Sequence, residues 1–275
     1  RVSQLLIKKM QPTILFEDEH YLFLNKPAGL VVHADGRTKE LTLVDWILEN
    51  RLDIKGVGEP AGQNLESGIG NLDSEISIPN SKFQIPDSAV FDRSGIVHRI
   101  DRETSGVIVI AKTQAAFMHL KRAFKRRDVR KIYHAFLYGE LKQDEGWIDR
   151  PSGRRATDFR QFSASRGARG FMREAVTYYH VLGRAPGATF VEVQPKTGRT
   201  HQIRVHFKAL NYPIICDKLY APNKPCLFGL GRVGLHARSI EFVGFEDKKY
   251  KVEASYPDDF AEALRQFLSE ASKNS

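Results

Sequence analysis

The chain has 275 residues, 41% of them hydrophobic, which allows one large domain or two small ones with a sizeable buried core. A net charge of +9 points to a polyanionic partner, nucleic acid first and an anionic membrane surface second. No apolar run approaches membrane-spanning length and no secretory signal is visible from Arg1 onward; Cys216 and Cys226 suggest neither a disulfide framework nor a zinc site, so a reducing cytoplasm is expected.

Residues 13–34 read as short strands separated by turns. The apolar runs are Ile14-Leu15-Phe16, Tyr21 to Leu24 and Gly29 to His33, with turns at Glu17-Asp18-Glu19 and Asn25-Lys26-Pro27-Ala28-Gly29. Thr42 predicts the cap of a helix reaching about Asn50, with Val44, Ile47 and Leu48 on one face. Over 53–90 Gly, Ser, Asn, Pro and Asp dominate and apolar periodicity disappears, which predicts a long insertion, disordered or loosely packed.

Residues 94–112 have two unlike halves. Val107 to Ala111 is wholly apolar and rich in β-branched residues, the pattern of a strand buried on both faces. Before it, His98 to Gly106 crowds Arg99, Asp101, Arg102, Glu103 and Thr104 into one short loop. Charges beside a strand end commonly form only a solvated turn. Loops fixed by rigid elements also carry chemistry, and arginine neighbours keep a carboxylate ionised, as a nucleophile or base requires.

Thr113 predicts a second cap. The helix it opens has Phe117, Leu120 and Phe124 inward and carries His119, Lys121, Arg122, Lys125, Arg126 and Arg127 on its other face, a candidate phosphate contact. Residues 131–141 alternate as a strand, with Ile132, His134, Phe136 and Tyr138 on one face. Arg150, Arg154, Arg155, Arg160, Arg166, Arg169 and Arg173, set among Gly, Ser and Ala, read as a hairpin or loop suited to phosphates and bases. Strands are expected at Ala175–Leu182 and Thr189–Gln194. A helix follows from about His201 to Leu210, with Ile203, Phe207 and Leu210 buried and Arg204 on another face. Leu235-His236-Ala237 and Ile240–Phe245 read as two short strands, and Asp258 or Asp259 as the cap of a final helix with Phe260, Leu264, Phe267 and Leu268 inward. Many short strands with few helices predict an α+β fold with a largely antiparallel sheet.

His201 and His206 lie roughly 140° apart around a helix and cannot share a metal as an i, i+4 pair does. No carboxylate cluster joins them, and neither a G-x-S-x-G elbow nor a glycine-rich phosphate loop is present. Thr104-Ser105-Gly106 suits hydrogen bonds that hold a loop. What remains is a carboxylate in a basic setting.

His98-Arg99-Ile100-Asp101-Arg102-Glu103-Thr104-Ser105-Gly106 resembles the central motif of the RluA-type pseudouridine synthases. Lys26 to His33, Lys131 to Ala135, Gly198 to His206 with Pro213-Ile214 and Asp217 to Tyr220, and Leu235-His236-Ala237 resemble further motifs of that family in its own order. The resemblance covers nearly everything from Thr13 to Tyr256. Cys216 and Ala221 stand where glycine is usual, and the His-Pro usual after Ile240-Glu241-Phe242 is missing.

The resemblance implies a pseudouridine-synthase fold: a largely antiparallel mixed sheet with flanking helices and loops around a central cleft. It implies a single catalytic domain at 13–275 behind an N-terminal extension at 1–12; the small RNA-binding domain of some relatives does not fit in Arg1 to Gln11, and only a segment upstream of Arg1 could hold it. The activity implied is isomerisation of uridine in ribosomal or transfer RNA, by a cytoplasmic monomer without cofactor or metal, on a base flipped out of its helix. Asp101 would be the nucleophile or the base, Tyr133 would stack on the flipped uracil, and Arg204 would pair with Asp101. Arg99 would fill the space the base leaves or bind its phosphate, and Ile203 would line the pocket floor. His98, Arg102 and Thr104 are further candidates for substrate contact, with a structural ion pair as the other reading of Arg102, and Lys26 and His33 rank below them as structural. Two other readings compete: an inert RNA-binding protein that keeps the fold, and a nucleoside hydrolase that uses a carboxylate nucleophile.

Overall fold

The computed structural model describes residues 11–33, 40–59, 94–154, 161–164 and 172–273. The expected extension up to residue 10, most of the expected insertion (60–90), and Arg155, Arg160, Arg166 and Arg169 lie outside the described residues.

A nine-stranded mixed sheet organises the molecule. Its spine is β3 (Ser105–Ala111), in which every residue is buried. The β-branched run fits there because both sheet faces are covered. β2 (Tyr21–Lys26) pairs with it antiparallel, Tyr21 opposite Ala111 and Lys26 opposite Gly106, and β1 (Thr13–Glu17) pairs with β2. On its other side β3 runs parallel to the start of β10 (Leu235–Val243), with Ser105 opposite His236. Gly106 sits at that contact with φ 117°, and a Cβ there would lie 2.2 Å from the Ala237 carbonyl oxygen, so only glycine lets the strands approach.

The order continues from β10 to β4 (Arg130–Tyr138), β9 (Ala188–Pro195), β8 (Val176–Ala185) and β5 (Glu145–Asp149), all antiparallel. β11 (Lys249–Glu253) pairs with the far half of β10, and β6 (Gly153–Arg154) with β7 (Phe162–Ser163) forms a separate small hairpin. The arginine-rich stretch is thus a hairpin at its base.

The first two helices form where their caps predict. α1 (Leu43–Asn50) starts on a reciprocal capping box between Thr42 and Asp45, and buries Leu43 and Ile47. Thr113 caps α2 (Gln114–Arg126), which lays Phe117 and Leu120 on the core around β3. α3 (Gln202–Ala209) buries Ile203 and Phe207 among Ala135, Val193 and Ile214. α4 (Asp258–Ser272) inserts Phe260 and Phe267 against Phe136 and Phe190.

Several expectations change. Gly29 to His33 is not a strand; Val31 makes one isolated bridge, to Thr42. Leu52–Ile54 is a 3-10 turn, and Ile54 and Val57 are buried, so the start of the expected loose insertion is docked on the core. The two short strands at 235–245 are one strand, β10, with a register shift between Ala237 and Ser239 that masks its continuity in the alternation pattern. Pro257, not an aspartate, is the cap of α4, and Leu268 is 55% exposed because Ala263 takes the inward place beside Phe267. Cys216 and Cys226 form a disulfide with Cα atoms 4.6 Å apart, where free thiols were expected. A ten-residue spacing does not reveal that the loop between them doubles back on itself.

Candidate active site

Asp101 stands in the turn that leads into β3. The turn is closed by Thr104 N–H donating to the Asp101 carbonyl at 3.1 Å. Lys26, fully buried at the end of β2, donates from Nζ to the carbonyls of Pro27, Leu30 and Arg102, and Gly29 N–H also donates to Arg102. The β2 end and the Asp101 turn are therefore held as one unit.

The start of α3 reaches this turn. Arg204 Nη1 donates to Asp101 Oδ2 at 3.3 Å, and His201 Nε2 lies 3.9 Å from Oδ1. The stronger partner of Arg204 is Asp217, with both bonds of a guanidinium fork at 2.8 Å. The expected direct pair is thus the edge of a triad in which Asp217 aims Arg204 and Arg204 aims Asp101. Asp217 is itself fixed by accepting the N–H groups of Leu219 and Tyr220 on Oδ1. The Arg204 guanidinium lies over the Tyr220 ring, 5.1 Å from its centre, and the Tyr220 hydroxyl meets His201 Nδ1 at 3.0 Å. His201 reaches its place through a left-handed backbone (φ 55°) just before α3.

Electrostatics follow the geometry. Burial opposes charge on Arg204, but Asp217, through its hydrogen bonds and charge, and Asp101 outweigh it and raise the guanidinium above the ordinary arginine value. Burial pushes His201 below the ordinary histidine value against the pull of Asp101. Burial, reinforced by the Asp101 charge, lifts the Tyr133 phenol above the ordinary tyrosine range, so it stays protonated at neutral pH. Burial likewise pushes Tyr220 up to about 12.

Tyr133 and Ile203 complete the wall. Tyr133 packs against two of the apolar clusters at once, and Ile203 belongs to one of them. Arg99 is exposed at the mouth, its Nη1 3.1 Å from His33 Nε2. Two expected substrate contacts, His98 and Thr104, turn inward, and Arg102 makes the ion pairs of its other reading. His98 accepts from Val109 N–H and stacks on Phe124 of α2, and burial pushes its pKa down to about 3; a ring between a strand and a helix is packing. Arg102 is half-exposed and pairs with Glu40 and Glu103. Thr104 is buried, and its hydroxyl has no hydrogen-bond partner among the described residues. The sequence reading missed the roles of Asp217, Tyr220 and His201; the first two lie in a loop without periodicity, where only the motif resemblance marks them.

Residues 20–209 match the family described as RNA pseudouridylate synthase. An uncharacterized RNA pseudouridine synthase of Mycobacterium tuberculosis is 34% identical over 92% of this chain and 72% of that protein. The chain belongs to the RNA pseudouridylate synthase family. It is accordingly an isomerase that binds RNA. Ribosomal large subunit pseudouridine synthase D of Pseudomonas aeruginosa is 31% identical over 93% of this chain and 71% of that protein. The human RNA pseudouridylate synthase domain containing 1 protein shares the fold, with a TM-score of 0.64 at 23% identity over 90% of this chain and 85% of that one. Among the described residues no helix is long and apolar enough to cross a membrane.

Proposed function

We propose that this pseudouridine synthase modifies ribosomal large-subunit RNA, with Asp101 as the catalytic carboxylate. The observation that carries the site assignment is the Asp217–Arg204–Asp101 chain, with Tyr133 close enough to feel the Asp101 charge. A uridine in a helix is inaccessible, so it is flipped out at a cost of a few kcal/mol. Tyr133 stacks on the flipped uracil and Ile203 supports it from below. Arg99, exposed at the mouth, meets the phosphate or the space left in the helix. Asp101 acts on the nucleotide either by adding to C1′ or by taking a proton. The N1–C1′ bond breaks, the base turns, C5 bonds to C1′, and the C5 proton is lost while N1 gains one. The sum is an isomerisation that needs no outside reductant or oxidant.

The ribosomal target rests on relatives named ribosomal large subunit pseudouridine synthase D. Transfer RNA is the second reading, compatible with the same site. A monomer in the cytoplasm, with one catalytic domain over 13–275, fits such a substrate. Thiol reductants there would contest the Cys216–Cys226 bond. Incubation of the protein with unmodified ribosomal and transfer RNA transcripts, followed by mapping of pseudouridine, tests the target. Pseudouridine in the large-subunit RNA is expected. Modification confined to transfer RNA overturns the ribosomal target, free uracil points to a hydrolase, and binding without product points to an inert module.

A further inference from the structure

Arg232 lies in the loop before β10 and has no place in the chemistry described above, yet it is only 9% exposed. Burying a guanidinium is costly unless its donors are satisfied. Here each nitrogen is occupied. Nε and Nη2 fork onto Asp259 at 2.7 and 3.0 Å. Nη1 donates to the carbonyl of Glu103 at 3.2 Å and approaches those of Val233 and Leu235. Nη2 also donates to Ser105 Oγ at 3.1 Å. Asp259, in the first turn of α4, is held in turn by the Phe260 N–H.

The network runs on in one direction. Ser105 Oγ is 2.9 Å from His236 Nδ1, and His236 Nε2 is 3.3 Å from the Ala254 carbonyl. A carbonyl accepts only, so Nε2 carries the proton and Nδ1 accepts from the serine hydroxyl. Ser105 then accepts from Arg232 and donates to His236. Burial pushes the His236 pKa down to about 4, which keeps the ring neutral and this direction fixed.

The two residues that Arg232 grips, Glu103 and Ser105, flank the end of the turn that presents Asp101. Lys26 grips the preceding carbonyl, that of Arg102, from the opposite strand. Two buried donors from distant segments, the Lys26 amine and the Arg232 guanidinium, therefore hold successive carbonyls of a single turn.

We propose that Arg232 is a positioning residue for the catalytic turn, oriented by Asp259, so that the N-terminal end of α4 helps set where Asp101 stands. This rests on Asp101 being the catalytic carboxylate. A misplacement of a reacting group by about 1 Å costs up to roughly a hundredfold in rate, and loss of the Arg232 bonds to Glu103 and Ser105 frees the turn on one side only.

The test is single-turnover pseudouridine formation at saturating RNA, with RNA affinity and thermal stability measured on the same full-length proteins. Arg232→Gln is expected to slow the step by about tenfold or more, with RNA affinity held within about twofold. Asp259→Asn, which leaves the arginine in place but weakens its fork, is expected to slow it by about threefold. Arg238→Gln serves as the structural control: Arg238 is on the same strand as His236 and donates to the same Ala254 carbonyl but does not touch the turn. The inference is overturned if Arg232→Gln keeps the wild-type rate, or loses rate only as much as Arg238→Gln at an equal fall in melting temperature. If Arg232→Gln does not fold, Asp259→Asn decides: an unchanged rate overturns the inference. Asp101→Asn in the same assay separates the two claims, since its retained activity defeats the catalytic assignment whatever Arg232 does.

Discussion

At the scale of single residues, the arrangement around Asp101 rests on a second, buried carboxylate, Asp217. Asp217 holds Arg204 by a two-bond fork, and Arg204 reaches Asp101 with its remaining nitrogen. Asp217→Asn keeps the shape of the side chain but removes its charge, and leaves a buried guanidinium with a weaker partner. Single-turnover kinetics of that variant are expected to show a fall of about tenfold to a hundredfold at saturating RNA. Arg204→Lys is expected to match it, because an ammonium cannot fork onto Asp217 and also meet Asp101. Asp101 was legible because its loop is so dense in charge, and Arg204 because the motif resemblance singles it out. Asp217 was legible only as part of a motif, because its partnership exists only once the loop after α3 folds back. His98 misled for the opposite reason: a histidine beside arginines reads as chemistry, but Phe124 sits one helix away and stacks on it.

At the scale of elements, patterns that repeat within one segment were readable, and patterns that depend on a neighbour were not. The caps of α1 and α2 are local, and both form as expected at Thr42 and Thr113. The continuity of β10 is hidden by its register shift, and the exposure of Leu268 depends on where α4 meets Phe136 and Phe190. The disulfide is also a matter of folding. It closes the loop that carries Asp217 and Tyr220, and a closed loop of that length stabilises by about 3 kcal/mol in the chain-entropy account. Cys226→Ser is expected to lower the urea midpoint of the oxidised protein, and dithiothreitol to lower the wild type to the same value while leaving the variant unmoved. An equal response of both proteins to the reductant would show that the bond does not set the stability.

Titration links elements to overall stability. Burial depresses the pKa values of His98 to about 3 and of His134 and His236 to about 4. Between about pH 4 and 6.5 the unfolded chain therefore binds more protons than the folded one, and stability falls as pH falls through that window. Each of the three contributes a slope of up to about 1.4 kcal/mol per pH unit. Urea unfolding at steps between pH 7 and 5 measures this, and His98→Gln is expected to flatten the curve. The same slope in wild type and variant would mean that His98 is not buried neutral.

At the scale of the whole molecule, the topology gathers segments far apart in sequence: Asp101 before β3, Tyr133 on β4, Arg204 on α3, and Asp217 and Tyr220 in the loop beyond it. The mixed α+β sheet was foreseeable from the spacing of short strands, but its order was not, because the parallel pairing of β3 with β10 joins residues more than a hundred positions apart. The net charge of +9 fits an RNA substrate. Arg122, Lys125 and Arg126 are exposed on α2. Replacing all three by glutamine is expected to weaken RNA binding and to lower its dependence on log salt by up to about one unit for each phosphate no longer neutralised. Filter binding from low to moderate salt reads both quantities, and an unchanged slope would place the RNA elsewhere.

The central claim is that Asp101 performs the chemistry while its surroundings bind and aim. The most direct measurement compares wild type and Asp101→Asn for pseudouridine formed in one turnover, alongside melting temperature and RNA affinity. The account predicts a variant that folds, binds RNA with wild-type affinity and forms no pseudouridine. Pseudouridine formed by Asp101→Asn at the wild-type rate would contradict it.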